Sequence, residues 1–146
     1  MMTGMRSCSR RQFHGLVLAG AGFAVLGCNQ GAAPDGTVAA AMGRVTLPFA
    51  MFPKLGAVGG SVVVDVTGEF PIVVVRTSDT AATALSATCT HAACLVDYAA
   101  AANDLHCPCH DANFALDGSV KNGPTIIPLP VYPAQVGADA IVVNLT

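Results

Sequence analysis

The chain has 146 residues, of which 53% are hydrophobic and only 11% charged, with a formal net charge of −2. That length supports one compact domain with a buried core. Once the first 28 residues are set aside, four basic side chains (Arg44, Lys54, Arg76, Lys121) face nine acids, and the balance of −5 argues against nucleic acid as a partner.

The amino terminus reads as an address. Ser9-Arg10-Arg11-Gln12-Phe13 carries a twin-arginine pair, and an apolar run rich in Gly and Ala follows from Leu16 to Leu26. This order resembles a Tat export signal, which implies a periplasmic protein or one on the outer face of the cytoplasmic membrane. Val25-Leu26-Gly27-Cys28 resembles a lipobox, with Cys28 as the candidate lipidated residue and membrane tether. The apolar run falls well short of the ~20 residues that a bilayer-spanning helix needs. A cleaved soluble form and an uncleaved helical anchor are the alternatives. Cys8 and His14 lie inside the signal and carry no assigned role. The expected division is therefore 1–28 signal, 29–42 flexible tether and 43–146 folded domain, because Gln30 to Ala41 is mostly Gly, Ala, Pro and Thr.

Beyond the tether, short apolar runs bounded by Gly, Pro and Asp predict strands at 44–47, 61–66, 72–77 and 84–88. Further strands are expected at 95–98, 105–106, 114–115, 131–136 and 140–145. No long window shows amphipathic helical periodicity, so the expected fold class is all-β. Ala99 to Ala102 is a low-complexity insert ending in an Asn103-Asp104 turn signal.

The chemistry is concentrated on either side of that insert, in Cys89-Thr90-His91-Ala92-Ala93-Cys94 and Cys107-Pro108-Cys109-His110. Each stretch supplies one Cys/His pair, in the order C-x-H and C-x-x-H, plus one extra cysteine. Two thiolates can hold one iron while two neutral imidazoles hold another, so a [2Fe-2S] cluster with unlike ends fits Cys89, Cys107, His91 and His110. Cys94 and Cys109 are then free to pair with each other. Zinc also accepts a Cys2His2 set, but it usually takes its cysteines as one pair and its histidines as another, and it leaves two cysteines without a role. A structural zinc-binding module and an all-disulfide arrangement are the competing readings.

The two motifs resemble those of the Rieske iron-sulfur family. The resemblance continues through Asp117-Gly118-Ser119-Val120, Gly123-Pro124-Thr125 and the proline-rich run from Pro128 to Pro133, and covers about Gly60 to Thr146. It implies an antiparallel β domain with a small cluster-binding subdomain and one [2Fe-2S] cluster per chain. It also implies Cys89 and Cys107 on one iron, His91 and His110 on the other, and a Cys94–Cys109 disulfide locking the two loops. An exported protein meets an oxidising compartment, where such a bridge persists.

Two ferric ions, two sulfides and two thiolates carry no net charge, whereas four thiolates leave −2, so the mixed cluster accepts an electron more readily. Histidine ligation moves the potential from about −400 mV to a range of roughly −150 to +300 mV. A ferric ion also acidifies a bound imidazole, so electron and proton uptake are linked and the potential should fall with rising pH.

The departures from the family pattern carry their own expectations. Respiratory members place a serine and a tyrosine after the last ligand, whose hydroxyls donate to cluster sulfur; here Ala112 and Phe114 stand in those positions. Such hydrogen bonds stabilise the more negative reduced state, so losing two donors lowers the potential, and Asp111 beside His110 pushes the same way. Ala93 and Asp111 replace family glycines, which commonly supply positive φ; either the backbone is ordinary there or these residues adopt the left-handed region. His106 is expected to face away from the cluster and Tyr132 to serve packing. The methionines show no copper-like or haem-like arrangement.

The functional expectation is one-electron transfer in an exported, membrane-tethered protein. Its partners would be redox proteins, with cytochrome b or c subunits or quinol as candidates in a quinol:cytochrome c reductase-like complex. A small subunit of an exported molybdenum oxidoreductase and a free-standing Rieske lipoprotein are the alternatives.

Overall fold

The computed structural model describes residues 33–146. The expected export signal and lipidation site, including Cys28, lie outside the described residues. Among the described residues no helix is long and apolar enough to cross a membrane.

Twelve strands form three sheets. The five-stranded central sheet has the order β1 (Gly36–Ala39), β3 (Ser61–Thr67), β4 (Ile72–Arg76), β5 (Ala82–Ser86), β10 (Val131–Tyr132). A three-stranded sheet runs β11 (Ala134–Val136), β12 (Ala140–Asn144), β2 (Arg44–Pro48), and a four-stranded sheet runs β6 (Asp97–Ala99), β7 (Asp104–Cys107), β8 (Ala112–Phe114), β9 (Val120–Asn122). The all-β expectation holds, with antiparallel pairing throughout except between β1 and β3.

The central strands β3 and β4 read Val-Val-Val and Ile-Val-Val-Val without polar alternation because both of their faces are covered. Val62, Val64, Ile72 and Val74 pack on Val45, Leu47, Ile141 and Val143 of the three-stranded sheet. Val63, Val73, Val75 and Leu85 point the other way, against Val96, Leu105, Cys107, Ala112 and Phe114. The second core is thus shared with the small sheet that carries both Cys/His loops. Folding the central sheet and shaping the site are one packing problem.

Three expectations change. Residues 36–39, placed in the flexible tether 29–42, form β1 instead, in parallel register from Gly36 on Val64 to Ala39 on Thr67. Their small side chains hide the strand; backbone bonds at the sheet edge supply the order. Asp35 fastens its start, accepting the Val63 N–H at 2.9 Å and pairing with Lys54 at 2.6 Å. Partial burial works to raise the Asp35 pKa, but the Lys54 and Val63 hydrogen bonds and the Lys54 charge prevail and hold it below its usual value. Second, the single run expected at 131–136 is split at Pro133, which has no N–H to donate, so β10 joins the central sheet and β11 the three-stranded one. Third, β5 begins two residues earlier than expected, while β9 and a short 3-10 turn at Pro53–Gly56 are additional.

Leu85 is fully buried on the face that supports the site. Leu85→Ala should lower unfolding stability by about 2–5 kcal/mol. Asp35→Asn, at an exposed ion pair, should cost under about 1 kcal/mol. Chemical denaturation of both variants checks the ranking, and equal losses would contradict it.

Candidate metal centre

The first Cys/His stretch is a loop between Thr88 and Leu95, which pair across its base. Inside it the Cys89 N–H donates to the Cys94 carbonyl at 2.8 Å, and the Ala93 N–H donates to the Cys89 carbonyl at 3.0 Å. The second stretch is the turn of the β7–β8 hairpin, closed by the Cys107–Ala112 pair. Because side chains alternate along β7, Leu105 and Cys107 enter the core while His106 faces away.

The loops lie face to face. Cys94 and Cys109 form the disulfide, with their Cα atoms 6.5 Å apart. Cys89 and Cys107 remain free and buried, as neighbours. The imidazoles of His91 and His110 meet edge to face with centroids 4.6 Å apart, and both residues are exposed. All six motif residues singled out from the sequence therefore come to one pole of the domain, thiols inward and imidazoles outward.

Burial pushes the Cys107 thiol above its ordinary pKa, and the neighbouring Cys89 thiol adds to this, while N–H groups of Cys109 and His110 aimed at the sulfur work in the opposite direction. With a metal bound, Cys107 would serve as thiolate, and the same two N–H groups would stabilise the anion. Two inward sulfurs and two outward ring nitrogens, one of each from either loop, suit a binuclear centre with unlike ends.

A third loop, from Gly123 to Leu129, covers one side. Thr90, between Cys89 and His91, donates its hydroxyl to the Ile127 carbonyl at 2.7 Å and contacts the Thr125 hydroxyl at 3.2 Å. Thr125, buried among these groups, accepts the Ile127 N–H at 3.1 Å. Gly123, at φ 122°, lets this loop press on the second one, since a Cβ there would stand 2.6 Å from the Ala112 Cα. The seam was not foreseen. Its only sequence signal is the placement of threonines inside the first motif and directly after Gly123-Pro124.

Ala112 and Phe114 are fully buried, so the expected absence of hydroxyls is a property of the site wall. His106 faces away as expected, with Nδ1 at 3.1 Å from the Asn113 amide oxygen and Nε2 at 3.8 Å from an Asp111 carboxylate oxygen. Tyr132 packs against the first core. Ala93 and Asp111 do adopt positive φ, 54° and 55°, as glycine would.

This combination of a β scaffold, a disulfide between two Cys/His loops and an inward-thiol, outward-imidazole pole defines an iron-sulfur protein. A family model for the Rieske [2Fe-2S] domain matches residues 54–133, and the chain belongs to that family. It carries the family's [2Fe-2S] cluster and its electron-transfer role. It is 42% identical over 72 residues to the cytochrome b6-f complex iron-sulfur subunit of Chlorobaculum thiosulfatiphilum, covering 49% of this chain and 40% of that one. The corresponding subunit of Chlorobaculum tepidum is 43% identical over 63 residues, covering 43% of this chain and 35% of the relative. The chain thus spans about two fifths or less of the length of these curated relatives. Among solved structures, the cyanobacterial plasma membrane Rieske protein PetC3 from Synechocystis PCC 6803 superposes with a TM-score of 0.55 at 33% identity, over 67% of this chain and 95% of that one. The ferredoxin of carbazole 1,9a-dioxygenase from Nocardioides aromaticivorans IC177 gives 0.53 at 26% identity, over 62% and 88%.

Alanine in the left-handed region costs roughly 1 kcal/mol that glycine does not pay. Ala93→Gly should therefore stabilise the domain by about 0.5–1 kcal/mol, read as a higher denaturation midpoint. A lower midpoint would show that the alanine methyl is favourable there.

Proposed function

We propose that Cys89 and Cys107 hold one iron of the cluster and His91 and His110 the other, and that the exposed imidazole edges are where single electrons enter and leave. The observation that carries this reading is the pairing of two buried free thiols with two touching, exposed imidazoles across bridged loops. When bound, the cluster would supply a one-electron centre whose added electron is favoured at the imidazole-held iron, because thiolate donation favours the ferric state at the other. The chain's own residues do the rest. Cys107 is steadied by the N–H groups of Cys109 and His110, Leu105 and Phe114 keep water from the thiol side, and the Thr90–Ile127 seam holds the covering loop over Cys89.

The exported and membrane-tethered setting belongs to the same proposal, with Tat passage and a lipid at Cys28. The strand register bears on where such a tether would meet the domain. Asp35 lies beside Val63, and the chain before it leaves β3 at the Ser61 end, whereas Cys89 follows Ser86, whose partner Ile72 lies at the opposite end of β4. A tether entering there leaves the imidazoles facing away from the attachment. The likeness to cytochrome b6-f subunits supports service in a quinol-oxidising complex with cytochrome partners. One observation favours a second reading, a free-standing Rieske carrier: Ala112 and Phe114 offer the cluster no hydroxyl.

Replacing His91 or His110 with alanine, or Cys107 with serine, should abolish the reduced-state EPR signal of the mixed-ligand cluster. Acid-labile sulfide should fall with it. Retention of the unaltered spectrum in any of these variants would refute the ligand assignment. The double variant Ala112→Ser, Phe114→Tyr should raise the midpoint potential. If each new hydrogen bond favours the reduced state by about 1 kcal/mol, the rise is roughly 40 mV per bond for one electron. Protein-film voltammetry measures it, and an unmoved potential would mean that these positions do not tune the centre.

A further inference from the structure

The metal pole holds a second chemistry that uses only its sulfurs. The Sγ atoms of Cys94, Cys107 and Cys109 all lie within 4.8 Å of one another, and two of the three already form a bridge. Cys107 is the sulfur outside the bridge: free, fully buried and within 4.8 Å of both bridge sulfurs. A free thiol exchanges with a disulfide when its thiolate comes into line with the S–S bond, attacks one sulfur and expels the other. The three sulfurs here form a triangle with that bond as one side, so the exchange begins with the metal-free Cys107 side chain swinging into line. The reaction needs no external oxidant, because one S–S bond forms as one breaks.

We propose that Cys107, when it holds no metal, attacks the Sγ of Cys94. The Cys107–Cys94 bond forms, the Cys94–Cys109 bond breaks with its electron pair on the Cys109 sulfur, and the proton lost by Cys107 ends on Cys109. The count of free thiols stays unchanged. Attack on the Cys109 sulfur is disfavoured, because it would close a small ring around the single residue Pro108. Cys94 has no such restriction, since it stands on the opposite loop, 15 positions before Cys109.

The product still ties the two loops together, but through a different sulfur. Cys107 is consumed, so the isomerised site cannot take a cluster until the exchange runs backwards. Metal and rearranged bridge thus compete for one atom, and loss of the cluster is recorded in the disulfide connectivity. The proposal rests on the ligand assignment only for the protection of Cys107 by bound iron. The exchange itself rests on the proximity of the three sulfurs.

The test uses the full chain, purified anaerobically with its cluster and divided in two. One half is stripped of iron with a chelator, both are held anaerobically at the same pH, and both are then quenched in acid, alkylated and digested. Fragment-ion sequencing of the peptide containing Cys107 and Cys109 locates the label. The expected result is an intact Cys94–Cys109 link in the cluster-bearing half. In the stripped half that link should give way to Cys94–Cys107, with the label moved from Cys107 to Cys109 and the total label unchanged. Retention of Cys94–Cys109 with labelled Cys107 after stripping overturns the exchange. A fall in total label also overturns it, because that marks oxidation. A rearranged bridge in both halves upholds the exchange and overturns the ligand assignment instead. In Cys107→Ser, the stripped chain should keep Cys94–Cys109, and a changed bridge there would identify a different attacking thiol.

Discussion

Cys89 and His91 sit on one loop, Cys107 and His110 on another, and no ladder of strand hydrogen bonds runs between the two loops. Everything the site does depends on keeping them face to face, and the Cys94–Cys109 bridge is the covalent means of doing so. Closing about fifteen residues removes chain entropy from the unfolded state worth roughly 3 kcal/mol. Its positional effect matters more. A metal centre tolerates little error in donor placement, and the bridge lies beside one of the sulfurs whose position must be kept. The Thr90 seam adds a neutral, directional tie from the first loop to the covering loop, where another charged group would alter the electrostatics of the pole.

The core arrangement explains why thiols point in and imidazoles out. Cys107 ends β7 on the side shared with Leu105, so strand alternation sends its sulfur into the second core. His110 lies three residues further on, in a turn where Asp111 adopts positive φ and reverses the chain into β8. Burial opposes ionisation of Cys107, and only a cation can compensate it fully. The imidazoles, half a loop away, stay in reach of a partner. Buried thiols and exposed imidazoles therefore follow from strand geometry.

Much of this was legible in the chain because metal chemistry fixes residue types at short spacings. The two motifs, the disulfide and the all-β class were readable from Cys89 to His110 and from the valine runs of β3 and β4. What escaped was structure that the local residue pattern does not encode. Gly36 to Ala39 carry no strand-forming pattern strong enough to stand out, yet the edge of β3 offers hydrogen-bonding groups to whatever chain passes, and Asp35 pins it there. Pro133 sits inside an apolar run that reads as one strand, and its missing N–H divides the run between two sheets. The Thr90–Thr125 contact joins positions 35 residues apart, a separation at which local pattern carries no information.

The zippered first strand changes how a tether of the proposed kind would work. With residues 29–42 fully flexible, the domain's reach would be set by coil statistics, roughly 5–6 Å times the square root of the residue number. Pairing of Gly36–Ala39 with β3 removes those residues from the coil and fixes the point of departure beside Lys54. A domain tethered as proposed would be held at one defined end of its central sheet, the end away from Cys89. In the proposed membrane-tethered setting, a shorter linker would raise the local concentration of the redox pole near a partner on the same membrane, and would limit which partners the imidazoles touch. The composition that hides β1 from a sequence reading thus conceals a determinant of reach, because a run of Gly, Ala and Thr can serve as linker or as edge strand, and only the neighbouring β3 decides between them.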